Sequence, residues 1–90
     1  MAWKIELTDD VRKKLRKLDK PVAARILEFL EQRVAVLDNP RTLGDPLRGP
    51  ELRSYWKYRV RNYRVIAWIR DEAVTVLVVR IGHRREVYRR

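Results

Sequence analysis

The sequence predicts an α+β fold in which a four-stranded, mostly antiparallel sheet carries an α-helical hairpin on one face. Three observations support it: a short alternating segment, then two stretches with apolar residues at helical spacing, then three segments rich in β-branched and aromatic residues. The predicted order is β, α, α, β, β, β, followed by a short C-terminal tail. With 90 residues and 46% apolar content, we expect a single domain spanning residues 1–90.

The first half of the chain contains the predicted N-terminal strand and both helices. Residues 2–7 (AWKIEL) alternate apolar and charged side chains, as a half-buried strand does. Thr8 is placed to cap the first helix, and Asp19 to cap the second, which has a proline near its start. Each helix has an apolar stripe, so we expect both to pack on the sheet. The second helix should end at residues 38–40 (DNP).

The second half of the chain contains the predicted three-stranded meander. A loop rich in glycine and proline, residues 41–50, leads into it. Its strands and turns are predicted at residues 52–60, 61–62, 63–70, 71–72 and 73–81. The last strand is an almost continuous apolar run, which is typical of a central strand covered on both faces or nearly so.

The stretch 52–64 gives the first indication of function. Alternate residues of a strand point to opposite faces of the sheet. One parity carries Arg53, Tyr55, Lys57, Arg59 and Arg61, and the other carries Leu52, Ser54, Trp56, Tyr58 and Val60. The first set predicts a cationic, aromatic surface on a rigid sheet, which suits an anionic polymer.

The charge distribution agrees with that interpretation. The net charge is +10, and residues 51–90 alone carry 11 basic against 4 acidic side chains. Ten of those 11 basic residues are arginine, which binds phosphate oxygens in a fork and stacks on flat rings. Nucleic acid, an acidic protein, or both in turn are the natural ligands. The alternative is that the charge merely keeps a small protein in solution.

Several classes of protein and site are disfavoured. The chain has no cysteine, hence no disulfide framework or thiolate metal site. Neither an apolar run of membrane-spanning length nor a signal-peptide pattern is present, which predicts a cytoplasmic protein without membrane contact. No glycine-rich phosphate loop or metal-ligand set occurs, so we expect no cofactor and no metal. What remains is binding, or metal-independent chemistry, at phosphate.

RNA permits such chemistry. Its 2′-hydroxyl can attack the adjacent phosphorus, which gives a 2′,3′-cyclic phosphate and a free 5′-hydroxyl. The reaction needs a base for the 2′-hydroxyl, cations for the phosphorane charge and an acid for the leaving oxygen. A cationic pocket supplies the second requirement, and it also favours the deprotonated form of a neighbouring lysine or tyrosine. On spacing alone, each arginine can equally be an ordinary surface cation.

Four short motifs resemble the RelE family of toxins, within the RelE/ParE superfamily of type II toxin–antitoxin systems. They are residues 47–49 (LRG), 57–59 (KYR), 63–65 (YRV) and 81–88 (IGHRREVY), of which the last is the most specific. The order of elements matches across essentially the whole chain. The resemblance implies a metal-independent endoribonuclease that enters the 30S A site of the ribosome, contacts mRNA and rRNA, and cuts the mRNA. It also implies an acidic, RelB-like antitoxin as partner.

The resemblance assigns roles to individual residues. The catalytic set it implies is Lys57, Arg59, Arg64, Arg84 and Tyr88, and further RNA contacts fall on Arg61, His83 and Arg85. Arg64 and Arg84 match phosphate ligands, and Tyr88 matches a tyrosine that orients the nucleotide. Arg59 departs from a family lysine, and since arginine hardly deprotonates, Lys57 or Tyr88 would have to be the base. His83 is either a general acid or a turn residue bonded to backbone.

Two other functions stay open. A ParE-like toxin would share the fold and a basic end but would inhibit DNA gyrase and cut no RNA. A basic nucleic-acid-binding module without catalysis would show only a steep loss of affinity with salt. The departure at Arg59 also leaves open a toxin that is inactive.

Overall fold

A five-stranded sheet lies at the centre of the fold, in the computed structural model that describes residues 2–47 and 55–86. Its strands are β1 (Lys4–Leu7), β2 (Asp45–Pro46), β3 (Tyr55–Val60), β4 (Tyr63–Arg70) and β5 (Thr75–His83). They lie side by side in the order β1-β5-β4-β3-β2. β1 pairs with β5 in parallel, and the other pairs are antiparallel. The predicted α+β class is confirmed, with one short strand more than expected.

The extra strand is β2, which lies in the segment predicted as a loop. Its two residues pair with Lys57 and Trp56 at the outer edge of β3. Gly44, just before it, has φ +80°, and a Cβ there would lie 2.3 Å from the Lys57 carbonyl oxygen. Only glycine permits both this conformation and this approach. The indole nitrogen of Trp56 donates to the Leu43 carbonyl at 2.7 Å and holds the same loop.

Two helices cover one face of the sheet. They are α1 (Asp9–Lys17) and α2 (Lys20–Phe29), and α2 continues as a π-helical turn over Leu30–Val34. The predicted cap of α1 is confirmed, since the Thr8 hydroxyl accepts from the Val11 amide at 3.2 Å. The predicted side-chain cap of α2 is wrong, because Asp19 makes no capping hydrogen bond. In the described part of the chain, no helix is long and apolar enough to span a membrane.

The core lies between these helices and the sheet. Its fully or almost fully buried side chains include Val11, Ile26, Leu30 and Val34 from the helical layer and Tyr58, Val65, Val76 and Val78 from the sheet. Phe29 meets the Tyr58 ring edge-on, with the centroids 6.1 Å apart. The helices therefore cover only one face. We call the opposite surface of β3, β4 and β5 the open face.

Candidate nucleic-acid interface

The strand parity predicted for β3 holds over its described residues. Trp56, Tyr58 and Val60 are turned toward the helices and pack in or against the core. Lys57 and Arg59 alternate with them and therefore lie on the open face, where Lys57 is half-buried and Arg59 exposed. The preceding residues of the predicted strand, 52–54, lie outside the described residues. The cationic surface expected from the alternation is thus built on a packed strand.

Tyr58, although it stands between two candidate cations, belongs to the core. Its side chain is fully buried, and its hydroxyl donates to the Pro40 carbonyl at 2.7 Å. Burial raises the pKa of the phenol, and the charge of Arg41 opposes that rise only in part. The phenol is therefore held protonated by its surroundings, and it faces away from the open face.

Residues in register on neighbouring strands form rows across the open face. The first row, which holds two cations, consists of Arg59, Arg64 and Gly82. These residues lie directly opposite one another on β3, β4 and β5. Like charges directly opposed across a strand pair destabilise it, and none of the three is acidic. A phosphate between the two guanidinium groups would supply the missing negative charge, and Gly82 places no side chain beside them.

The Arg64 side chain is held at the end of this row. Its Nη1 donates to the carbonyl oxygens of Arg61 and Tyr63, both at 3.0 Å. A guanidinium group has five N–H donors, so these two bonds do not exhaust it. The group is thus anchored to the β3–β4 turn and still has donors for an anion.

The second row joins Lys57 on β3, Ile66 on β4 and Arg80 on β5. Ile66 is only 6% exposed although it lies on the open face. Its neighbours in register are the long alkyl stems of Lys57 and Arg80, which can cover it while the charged groups reach solvent. On the outer edge of the sheet, Asp45 stands opposite Lys57, so this row, unlike the first, includes a carboxylate.

The sequence interpretation missed Arg80. A β-bulge separates the pairs Ile66–Arg80 and Ala67–Val78, which leaves Val79 as an extra residue. Val76 and Val78 face the helices, and strict alternation would place Arg80 in the core with them. The bulge turns Arg80 outward instead. The sequence did contain a signal for the bulge. Burial of an unpaired arginine is costly, so an arginine at a position that strict alternation assigns to the core indicates that the alternation is broken there.

Arg84 lies next to the β3–β4 turn. Its backbone amide donates to the Asn62 carbonyl at 2.7 Å, which ties the end of β5 to that turn. Arg61 occupies the turn with φ +57°, as the predicted tight turn at residues 61–62 requires. The structure therefore brings Arg64 and the backbone of Arg84 together at the β3–β4 turn, although they are distant in sequence. Arg61 lies in that turn as well, but it lines a groove with Arg25 of α2, on the helix side of the sheet.

His83 is separated from this group by strand parity. It lies opposite Tyr63 on the side of the sheet that the helices cover, and the two rings meet edge-on at 5.8 Å. Its Nδ1 accepts a hydrogen bond from the Arg85 amide at 3.2 Å. Of the two roles considered, this geometry is that of a turn residue bonded to backbone. Arg85 is exposed in the same turn.

Two predicted features cannot be placed. Tyr88 lies outside the described residues, as do Arg48 and Gly49 of the LRG motif. Within residues 2–47 and 55–86, no three histidine, aspartate or glutamate side chains gather as metal ligands. The described part of the site therefore consists of cations on the open face.

Comparison with known proteins finds similarity to toxins. Residues 5–88 match the family model described as the ParE toxin of type II toxin–antitoxin systems. The chain is 33% identical over 90 residues to toxin RelG of Mycobacterium tuberculosis, covering all of both chains. It is also 33% identical to the mRNA interferase toxin RelE of Escherichia coli, over 98% of this chain and 92% of that one.

A solved structure with the same fold is the RelBE2 toxin–antitoxin complex of Mycobacterium tuberculosis. The TM-score is 0.82 at 28% identity, and the match covers 96% of this chain and 95% of the other. The agreement extends over nearly the full length of both chains, so it includes the strands of the open face as well as the helices.

Proposed function

Since this chain belongs to the RelE branch of the ParE toxin family of type II toxin–antitoxin systems, we propose that it is a ribosome-dependent mRNA endoribonuclease. It would cut mRNA in the A site and so inhibit translation. The observation that carries the proposal is the directly opposed pair Arg59–Arg64 on the open face, beside which the end of β5 is tied to the β3–β4 turn. Such a cluster suits one phosphate group.

The proposed reaction requires no metal. The 2′-oxygen attacks phosphorus, the bond from phosphorus to the 5′-oxygen breaks, and a 2′,3′-cyclic phosphate and a 5′-hydroxyl result. The proton of the 2′-hydroxyl passes to a base, and another proton reaches the leaving 5′-oxygen. Arg59, Arg64 and Arg84 would stabilise the charge on the phosphorane oxygens. Because Arg64 is already anchored, it would need little reorganisation in the transition state.

The base is proposed among the remaining residues of the predicted set. Arginine holds its proton at all ordinary pH values, so Arg59 can bind phosphate but hardly accept a proton. Lys57 and Tyr88 are the candidates. If Lys57 is the base, Arg59→Lys would add a second amine on the same face and raise the cleavage rate or leave it unchanged.

An acidic, RelB-like antitoxin is the proposed partner. A relative of the same fold was solved as a toxin–antitoxin complex. The net charge of +10 on this chain suits an acidic protein as well as it suits RNA. Binding of such a partner over the open face would block access of mRNA to it.

The test is cleavage of a defined mRNA in a reconstituted translation system, mapped by primer extension. Wild-type protein should produce ends within A-site codons. Arg64→Ala and Arg84→Ala should each lower the rate by about 100-fold or more, as removal of one transition-state donor does. Arg12→Ala removes the same charge from the exposed surface of α1 and should cut normally. Intact mRNA, on and off the ribosome, despite growth arrest on expression would refute the proposal.

One observation favours a second candidate, a gyrase inhibitor. The matching family model is named for the ParE toxin. DNA cleavage complexes that form only when both gyrase and this protein are present would select that activity, and the mRNA assay above would then show no new ends.

A further inference from the structure

The open face has two ends of different character. Near the β3–β4 turn it carries the cationic rows described above. Two residues further along β4, the next row joins Tyr55, Trp68 and Leu77, which lie directly opposite one another. Trp68 is 41% exposed and Tyr55 and Leu77 are half-buried, so this row is an accessible aromatic surface. We call these three residues, together with Arg70, the aromatic platform.

Arg70 supports the Trp68 ring. Its guanidinium carbon lies 5.1 Å from the ring centroid, a cation–π distance. Within the described part of the chain, the buried Arg70 Nε has no hydrogen-bond partner, and it lies 3.7 Å from a Glu72 carboxylate oxygen. The arginine therefore lies against the indole while its charge is paired with Glu72, and it helps to orient a ring that is still partly open to solvent.

The charges around the platform differ from those at the turn. Arg70 is accompanied by Glu72, and the nearby Lys4 and Glu6 form an ion pair at 3.2 Å. Among the described residues these pairs make this end close to neutral, whereas the row nearest the turn places Arg59 directly opposite Arg64. A flat, neutral, aromatic surface beside a cationic one fits a nucleic-acid strand, whose bases are apolar faces and whose backbone is charged.

The spacing also fits. Arg64 and Trp68 are four residues apart on one strand, which is about 13 Å at the rise of a β-strand. A stacked single strand covers that length with about four nucleotides, at roughly 3.4 Å each. A strand held by its phosphate at Arg64 can thus reach Trp68 without leaving the face.

We propose that Trp68, backed by Arg70, stacks an unpaired base of the bound RNA a few nucleotides from the phosphate held by the cationic rows. The inference rests on the proposed function in taking RNA as the ligand. It adds a second contact that would set the direction of the strand on the open face. An acidic protein segment is the competing occupant, but the near-neutral platform offers it less charge complementarity than the turn does.

The experiment measures RNA affinity with bases removed one at a time. A short, fluorescently labelled oligoribonucleotide is 2′-O-methylated so that it cannot be cut, and a set of copies lacks a single base at successive positions. Each is titrated with the full-length wild-type protein, Trp68→Ala and Trp68→Phe, free and as mRNA on programmed ribosomes. Val36→Ala, which trims an apolar residue that is 61% exposed outside the sheet, is the control.

We expect wild-type protein to lose about tenfold in affinity when one particular base is missing, as loss of a single stacking contact predicts. Trp68→Ala should bind the intact strand about tenfold more weakly and should not respond to the missing base. Trp68→Phe should recover most of the affinity, and Val36→Ala should match wild type.

Three results would overturn the inference. One is wild-type affinity in Trp68→Ala, and another is a dependence on the missing base that survives in that variant. The third is no measurable binding in either assay. If Trp68→Ala weakened only antitoxin binding, the platform would be a protein contact, and the inference would be wrong while the proposed cleavage stood. Conversely, stacking without any cleavage would sustain the inference and refute the proposed function.

Discussion

On the helix side of β3, Tyr58 is fully buried, contacts Phe29 and donates to the Pro40 carbonyl. On the open face, one residue further, Arg59 is exposed and faces another arginine. The helix side is filled by close-packed apolar groups, and the open face carries charges that packing does not require. Because side chains alternate along β3, those on its helix side contribute to stability and those on its open face are available for binding. Substitutions at neighbouring residues should therefore affect different properties.

The largest expected effect is a loss of stability caused by a substitution on the helix side of β3. Tyr58→Ala removes a buried aromatic ring and should lower the free energy of unfolding by about 3–5 kcal/mol. Tyr55→Ala, three residues earlier on the open face, should cost less than about 1 kcal/mol. Urea denaturation followed by far-UV circular dichroism measures both. Equal losses for the two variants would mean that the two faces of β3 do not differ in their contribution to stability.

A smaller loss of stability should follow from a substitution at Gly44, which lies against the outer edge of β3. Gly44→Ala would place a methyl group against the Lys57 carbonyl at a positive φ, and we expect about 2–3 kcal/mol of destabilisation. Gly44→Asn tests the cause, because asparagine tolerates this φ but still carries a Cβ. If Gly44→Asn unfolds at the same denaturant concentration as wild type, the close approach is not what demands glycine.

The smallest effect concerns a contact that belongs to neither face. Arg41 donates to both carboxylate oxygens of Asp71 at 2.9 Å, and this bond lowers the pKa of Asp71. A lowered folded-state pKa stabilises the fold above the unfolded pKa, and that contribution disappears as the pH falls through the folded value.

Because the pair is exposed, Asp71→Asn should cost less than about 1 kcal/mol near neutral pH and nothing in strong acid. Thermal unfolding of both proteins across the acid range, with and without added salt, measures the difference. A gap between the two proteins that widened as the pH fell would contradict a lowered pKa for Asp71.

Much of this architecture could be predicted because the relevant signals are local. The strict alternation in β3 identifies which side chains face the core, and Tyr58 and Arg59 lie as it indicates. The turn at residues 61–62 follows from its own two residues. The cap at Thr8 likewise depends on an amide only three positions away.

The features that could not be predicted depend on distant pairing. Asp45 and Pro46 have no strand propensity, and they form β2 only because the edge of β3 is adjacent. The bulge at Val79 reverses the faces on which Arg80 and His83 lie, and it becomes visible only in the register with β4. Placing His83 beside the arginines followed from their closeness in sequence, whereas the sheet separates them.

The order of strands has a consequence for synthesis of the protein. β5 is the last of these five strands in chain order, yet it lies between β1 and β4, where Ile5 pairs with Val76 and Ala67 with Val78. Until Thr75–His83 has been translated, β1 has no neighbour and the inner edge of β4 is exposed. In the nascent chain, β1 therefore stays unpaired until β5 has been synthesised. The sheet is completed late, through contacts of long sequence separation that form slowly.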